Sequence, residues 1–134
     1  MELRTKNIGS VDYTLALWGF TEGVKAKKAI LGALAPFLGG LDKDISSVLP
    51  QAIESFDLGL IELLCSSLKA KGPMNEPYDL SRQNDRDRLW TGKYFEAYKV
   101  LLWVIRENFE DFFMQIKEEG GEIFKELLEK VHLE

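Results

Sequence analysis

The stretch Tyr94–Ile116, YFEAYKVLLWVIRENFEDFFMQI, constrains this chain more than any other part of it. At about 100° per residue, Tyr94, Phe95, Tyr98, Leu101, Leu102, Ile105, Phe109, Phe112, Phe113 and Ile116 fall in one broad apolar stripe. Val100, Trp103 and Met114 fall near the opposite side, among Glu96, Glu107 and Glu110. A surface helix needs a single apolar stripe to reach its core. Apolar groups on its back mean either that it runs through the middle of a bundle or that it offers that back to another chain. No candidate nucleophile, base or metal set accompanies it, so the feature speaks of burial and association.

The 134 residues amount to about one ordinary domain, read as 1–134 without a division. Hydrophobic residues make up 46%, enough to bury a core without covalent staples. The net charge of −5 lies wholly in the second half. Residues 1–72 carry eight basic and eight acidic groups, and residues 73–134 carry nine and fourteen. An acidic surface repels phosphate backbones, which argues against a nucleic-acid partner. With Cys65 as the sole cysteine no internal disulfide can form. No apolar signal segment opens the chain, and the run Ala29–Leu41, broken by Pro36 and glycines, is too short for the roughly 20 residues of a membrane span. These features point to a soluble protein made in a cytoplasm.

The pattern along the chain predicts an all-α fold: one small helical domain of about five helices after a short irregular or β-like N-terminal segment. Val11–Trp18 alternates weakly and could also open a helix. A helix is expected over Thr21–Leu38 with Thr21 as N-cap, stopped by Gly39-Gly40. Asp42 caps a short turn holding Ile45, Val48 and Leu49. Pro50 suits the first position of a helix over Gln51–Ala70, which Gly59 weakens for no evident reason. Residues 72–88, rich in Pro, Gly and polar groups, read as one surface loop. Thr91 is placed to cap the long helix, Gly120-Gly121 to end it, and Glu122–Leu133 to form a last helix.

Candidate chemistry is sparse. His132 is the only histidine and cannot by itself supply a zinc set. Cys65, beside Leu64 on an apolar face, reads as a small buried hydrophobe, since no base or electropositive setting is evident. The carboxylates after Glu107 lack the Glu-x-x-His pattern of helical di-metal sites. Gly92-Lys93 fails as a phosphate loop, because Asp87 stands where the first glycine belongs and Tyr94 follows the lysine. Arg82, Arg86 and Arg88 alternate with Asp79, Asp85 and Asp87, as locally paired charges do. No catalytic residue, cofactor or metal is expected.

The block LWTGKYFEAYKVLLWVIRENFEDFF, residues 89–113, with its closing Asn108-Phe109-Glu110-Asp111-Phe112-Phe113, and the leucine-rich Leu58–Leu68 resemble the small tail assembly chaperones of long-tailed phages of Gram-positive bacteria, those of lactococcal phages in particular. The resemblance implies a non-enzymatic chaperone that binds the tape measure protein, a long helical chain with hydrophobic segments. It would keep that client soluble in the host cytoplasm until the tail tube assembles, and be absent from the mature virion. Partner contacts are then expected from Val100, Trp103 and Met114 on the helix back, from Phe109, Phe112 and Phe113 near its end, and from Phe37 and Leu38. Trp18 and Phe20 are further large apolar groups in weakly patterned places. On this reading Trp103→Glu abolishes client solubilisation and leaves the monomer folded. A homo-oligomer is expected, with no membrane partner. The alternatives are a structural or regulatory helical protein whose apolar surface serves its own oligomer, a small enzyme, and a nucleic-acid-binding regulator.

Overall fold

The computed structural model describes residues 2–37 and 45–119, and within them the side chains of all but 37, 45–48 and 112–119. The expected β-like N-terminal segment is a strand, but the four-stranded sheet it begins overturns the all-α expectation. Strands β1 (Leu3–Ile8) and β2 (Val11–Ala16) form an antiparallel hairpin. The two-residue turn between them places Gly9 at φ +59° and Ser10 at φ +66°. Both residues are left-handed, which matches the twist of the flanking strands. A third strand, β3 (Leu68–Lys71), pairs with β2, and a fourth, β4 (Pro77–Asp79), with β3. The result is a four-stranded antiparallel sheet in the order β1-β2-β3-β4.

Between β2 and β3 the chain makes a helical excursion. It comprises α1 (Phe20–Leu34), a 3-10 turn (Ala35–Phe37), α2 (Ile45–Ala52), a second 3-10 turn (Ile53–Ser55) and α3 (Leu58–Leu64). Helices α4 (Gln83–Trp90) and α5 (Tyr94–Glu119) follow the sheet. The long helix starts where its pattern predicts. Other boundaries do not follow expectation. Gly19, not Thr21, is the N-cap of α1. Pro50 lies inside α2. The helix expected over Gln51–Ala70 is cut in two because Asp57 adopts an extended backbone and its carboxylate accepts the Leu60 N–H at 2.8 Å, starting a new helix. That helix stops at Leu64, and β2 draws Leu68–Lys71 into its ladder. The expected loop over 72–88 holds β4 and α4, and Thr91 ends α4 instead of opening α5. Leu38–Asp44, Gly120-Gly121 and the helix expected over Glu122–Leu133 lie outside the described residues.

One face of the sheet is apolar. Val11, Tyr13, Leu15, Leu68 and Ala70 are buried, while Asp12, Lys69 and Lys71 on the other face are exposed. This inner face joins one core with Ile30, Leu31 and Leu34 of α1, Leu60 and Leu64 of α3, and much of α5. The Trp90 indole N–H donates to the Tyr13 hydroxyl at 3.1 Å, satisfying both polar atoms inside that core.

Helix α5 is the centrepiece. It touches β1 and α4 as well as α2 and α3. Val100, Leu101, Trp103, Val104 and Ile105 are all buried, so the helix is covered round most of its circumference over this turn and a half. At Val100 and Trp103 the apolar back is taken up by the chain's own sheet and helices.

Candidate docking surface around α1

The connector from β2 to α1 is anchored by α5. Asn108 donates its side-chain amide to the Val104 carbonyl at 3.0 Å and accepts the Trp18 main-chain N–H at 3.0 Å. That clamp seats the Trp18 ring against Phe109, centroids 5.7 Å apart. Among the described residues the buried Trp18 indole N–H has no hydrogen-bond partner. Phe20, one residue past the N-cap of α1, is 88% exposed, and Val24 on the same side of the helix is 41% exposed. Trp18, Phe20, Val24 and Phe109 line an open depression of about 220 Å³.

Farther along α1 lies a larger groove. Ala29, Ala33 and Pro36 present one side of α1 and its 3-10 extension at helical spacing. Gly59, Leu60 and Leu63 of α3 face them across an open cavity of about 740 Å³. The walls are mostly small or aliphatic, with Ser55 and Asp57 as polar groups at one end, and Leu58, at the start of α3, is 64% exposed. Gly59 now has a physical account. A Cβ there would meet nothing nearer than Asp57 Oδ1 at 3.5 Å. The bare glycine therefore leaves room in the groove and is not demanded by packing or by a positive φ. Small walls let a partner helix bring its backbone close, and leucines supply the apolar contact.

The expected contact residues separate into three sets. Val100 and Trp103 belong to the core. Trp103 is 6% exposed, and its indole N–H donates to Glu107 Oε1 at 3.1 Å, while Glu107 Oε2 accepts from Arg4 Nε at 3.1 Å. A glutamate at position 103 would bury an unpaired charge, so Trp103→Glu is expected to unfold the chain and cannot isolate client binding. Phe109 is 8% exposed and forms the floor of the depression beside Trp18. The side chains of Phe37, Phe112, Phe113 and Met114, and the whole of Leu38, lie outside the described residues. The α1 groove was not anticipated. The spacing of Ala29, Ala33 and Pro36 was its only signal, and small residues at that spacing read equally as a packed face.

The remaining polar groups serve the fold. Burial pushes the Cys65 thiol up to about 12, away from nucleophile chemistry. Arg86, itself buried, donates to the Leu80 carbonyl at 3.0 Å and lies 3.8 Å from Glu62. Arg88 pairs with Asp85 at 3.1 Å and Arg82 with Asp79 at 3.7 Å, so two of the three arginines of this segment are matched locally and Arg86 reaches outside it to Glu62. Hydrogen bonds from Ser81 hold the Asp79 carboxyl below its usual range, and the Asp79 main-chain N–H does the same for Asp85. Among the described residues no group of His, Cys, Asp or Glu is placed to hold a metal ion, and no described helix is long and apolar enough to cross a membrane.

The geometry defines a class: a four-stranded antiparallel sheet packed with helices, with open and largely apolar depressions beside α1. The family model of the phage tail assembly chaperone protein, TAC, matches residues 9–122, and the chain belongs to that family. No curated protein and no solved structure matches it.

Proposed function

We propose that this protein is a non-enzymatic chaperone that binds hydrophobic helical segments of the tape measure protein and keeps it soluble before the tail tube assembles. The observation that carries this reading is the open groove between α1 and α3, about 740 Å³ and walled by Ala29, Ala33, Pro36, Leu60 and Leu63. A long amphipathic client aggregates through its unburied apolar stripes. A groove of this kind takes one such stripe as a helix, reading residues at i, i+3, i+4 and i+7. Phe20 and Val24 lie on the other side of the same helix, where they form a separate exposed apolar surface beside Trp18 and Phe109. Several copies along one client multiply avidity without any tight single contact, which suits a chaperone that must leave when tube subunits arrive. The reading places the protein in the host cytoplasm and outside the finished virion.

The test is Gly59→Leu. The added side chain enters open space at an exposed helical position, so stability stays within about 1 kcal/mol of wild type. Co-expressed with the tape measure protein of its phage, the wild-type chain is expected to keep the client in the soluble fraction and Gly59→Leu to leave it in the pellet. Equal soluble yields would show that the groove is not where the client binds. A chain that forms one fixed oligomer across a dilution series and leaves the client insoluble would favour self-association as the use of this apolar surface.

A further inference from the structure

Strand β1 is the long open edge of the sheet. At the other edge β4 has three residues and begins with Pro77, which blunts it. The pair Ile8↔Val11 flanks the two-residue turn, and with Lys6↔Tyr13 and Arg4↔Leu15 it directs the main chain of Ile8, Lys6 and Arg4 toward β2. Leu3, Thr5 and Asn7 therefore turn their N–H and C=O groups outward, and no described residue bonds to them.

Beside that edge, against α5, is an open cavity of about 420 Å³ lined by Lys6, Ile8, Lys99, Leu102, Trp103 and Arg106. Lys99, Leu102, Trp103 and Arg106 lie on one helix face. Phe95, one turn earlier, is 72% exposed under the Lys99 ammonium, 4.6 Å from its ring centroid. Lys6, Lys99 and Arg106 form no ion pair among the described residues. Carboxylates near them include Glu107, held by Arg4 and Trp103, Glu2, paired with Arg4 at 2.7 Å, Glu96, seated against Gly9, and Glu110, one helical turn past Arg106. The cavity lining thus holds three cations and no carboxylate, next to a row of main-chain groups that no described residue uses.

We propose that the β1 edge accepts an extended acidic segment of a partner protein as a fifth strand. Its main chain pairs with Leu3, Thr5 and Asn7, its carboxylates face Lys6, Lys99 and Arg106, and an apolar side chain lies over Leu102 and Phe95. Main-chain pairing supplies affinity and the alternate side chains supply selection. A second copy fits poorly. Antiparallel registers that pair these outward groups of two copies set Arg4 against Lys6, or each against itself, and like charges directly opposite are destabilising. This edge is separate from the α1 groove, so the two proposals stand or fall independently.

The probe is a heptapeptide alternating threonine with glutamate, phenylalanine and glutamate, added to the full-length chain and followed by amide hydrogen exchange and NMR. Binding is expected to protect the Leu3, Thr5 and Asn7 amides and to weaken as salt rises. A lysine-for-glutamate peptide is expected not to bind. Lys6→Glu and Arg106→Glu should each weaken binding about tenfold or more. Thr5→Pro removes an outward N–H without touching the β1–β2 ladder and should abolish binding while the chain stays folded. No binding, equal binding by Arg106→Glu or Thr5→Pro, or protection at these amides that grows with protein concentration in the absence of peptide would each overturn the proposal.

Discussion

Trp103 and Phe20 are both large and aromatic, and their surroundings give them opposite tasks. Trp103 is packed in the core and tied to Glu107. Truncation to alanine is expected to cost about 3–5 kcal/mol in chemical denaturation. Phe20→Ser removes an 88% exposed ring and should move stability by no more than about 0.5 kcal/mol, while lowering the yield of soluble client. Cys65 makes a prediction about pH. Burial raises its thiol from 9.0 to about 12, so the folded state holds the proton longer than the unfolded chain. The stabilisation is complete below pH 9 and is lost as pH rises from 9 toward 12. Tyr13, raised from 10.0 mainly by desolvation, adds to the loss in the same direction. Denaturation midpoints should fall across that range, and Cys65→Ala should flatten part of the fall. The buried character of Cys65 was legible from its apolar neighbours. The tasks of Trp103 and Val100 were not, because a sequence pattern shows that a helix is apolar on two sides without showing what covers the second.

Elements were legible in proportion to how much apolar periodicity they carry. Helix α5 begins at Tyr94, where its stripe begins. Strand β1 buries none of its six residues fully and has no alternation to find. Helix α4, QNDRDRLW, is polar except at Leu89 and Trp90, so it reads as loop; packing of those two side chains and of Arg86 fixes it as a helix. Strand β3 is four residues, LKAK, and its alternate burial appears only once β2 lies beside it. The division of the central helix rests on Asp57. Asp57→Ala should therefore cost about 1 kcal/mol by thermal or chemical denaturation, as loss of a side-chain cap does, and amide exchange should localise the loosening to α3. An unchanged stability would mean that packing alone sets the start of α3.

For the molecule as a whole, composition and the absence of recognisable catalytic spacing limited the function class before the fold was known. The resemblance carried by residues 89–113 agrees with the family to which the chain belongs. Architecture was the harder inference: three of the four strands are short or polar, and long-range pairing builds the sheet. The groove between α1 and α3 was hidden for a related reason. A groove is an absence of side chains, made here by Ala29, Ala33 and Gly59 on separate helices, and only their packing brings the gaps together. The central claim is that the groove beside α1 holds apolar helical segments of the tape measure protein. Photo-crosslinking during co-expression tests it most directly, with the reactive side chain placed at Ala29 in the groove or at Asp12 on the outer face of the sheet. The account predicts crosslinks from position 29 to apolar stripes of the client and none from position 12. Crosslinks from position 12 alone, or from neither position while the client stays soluble, would contradict it.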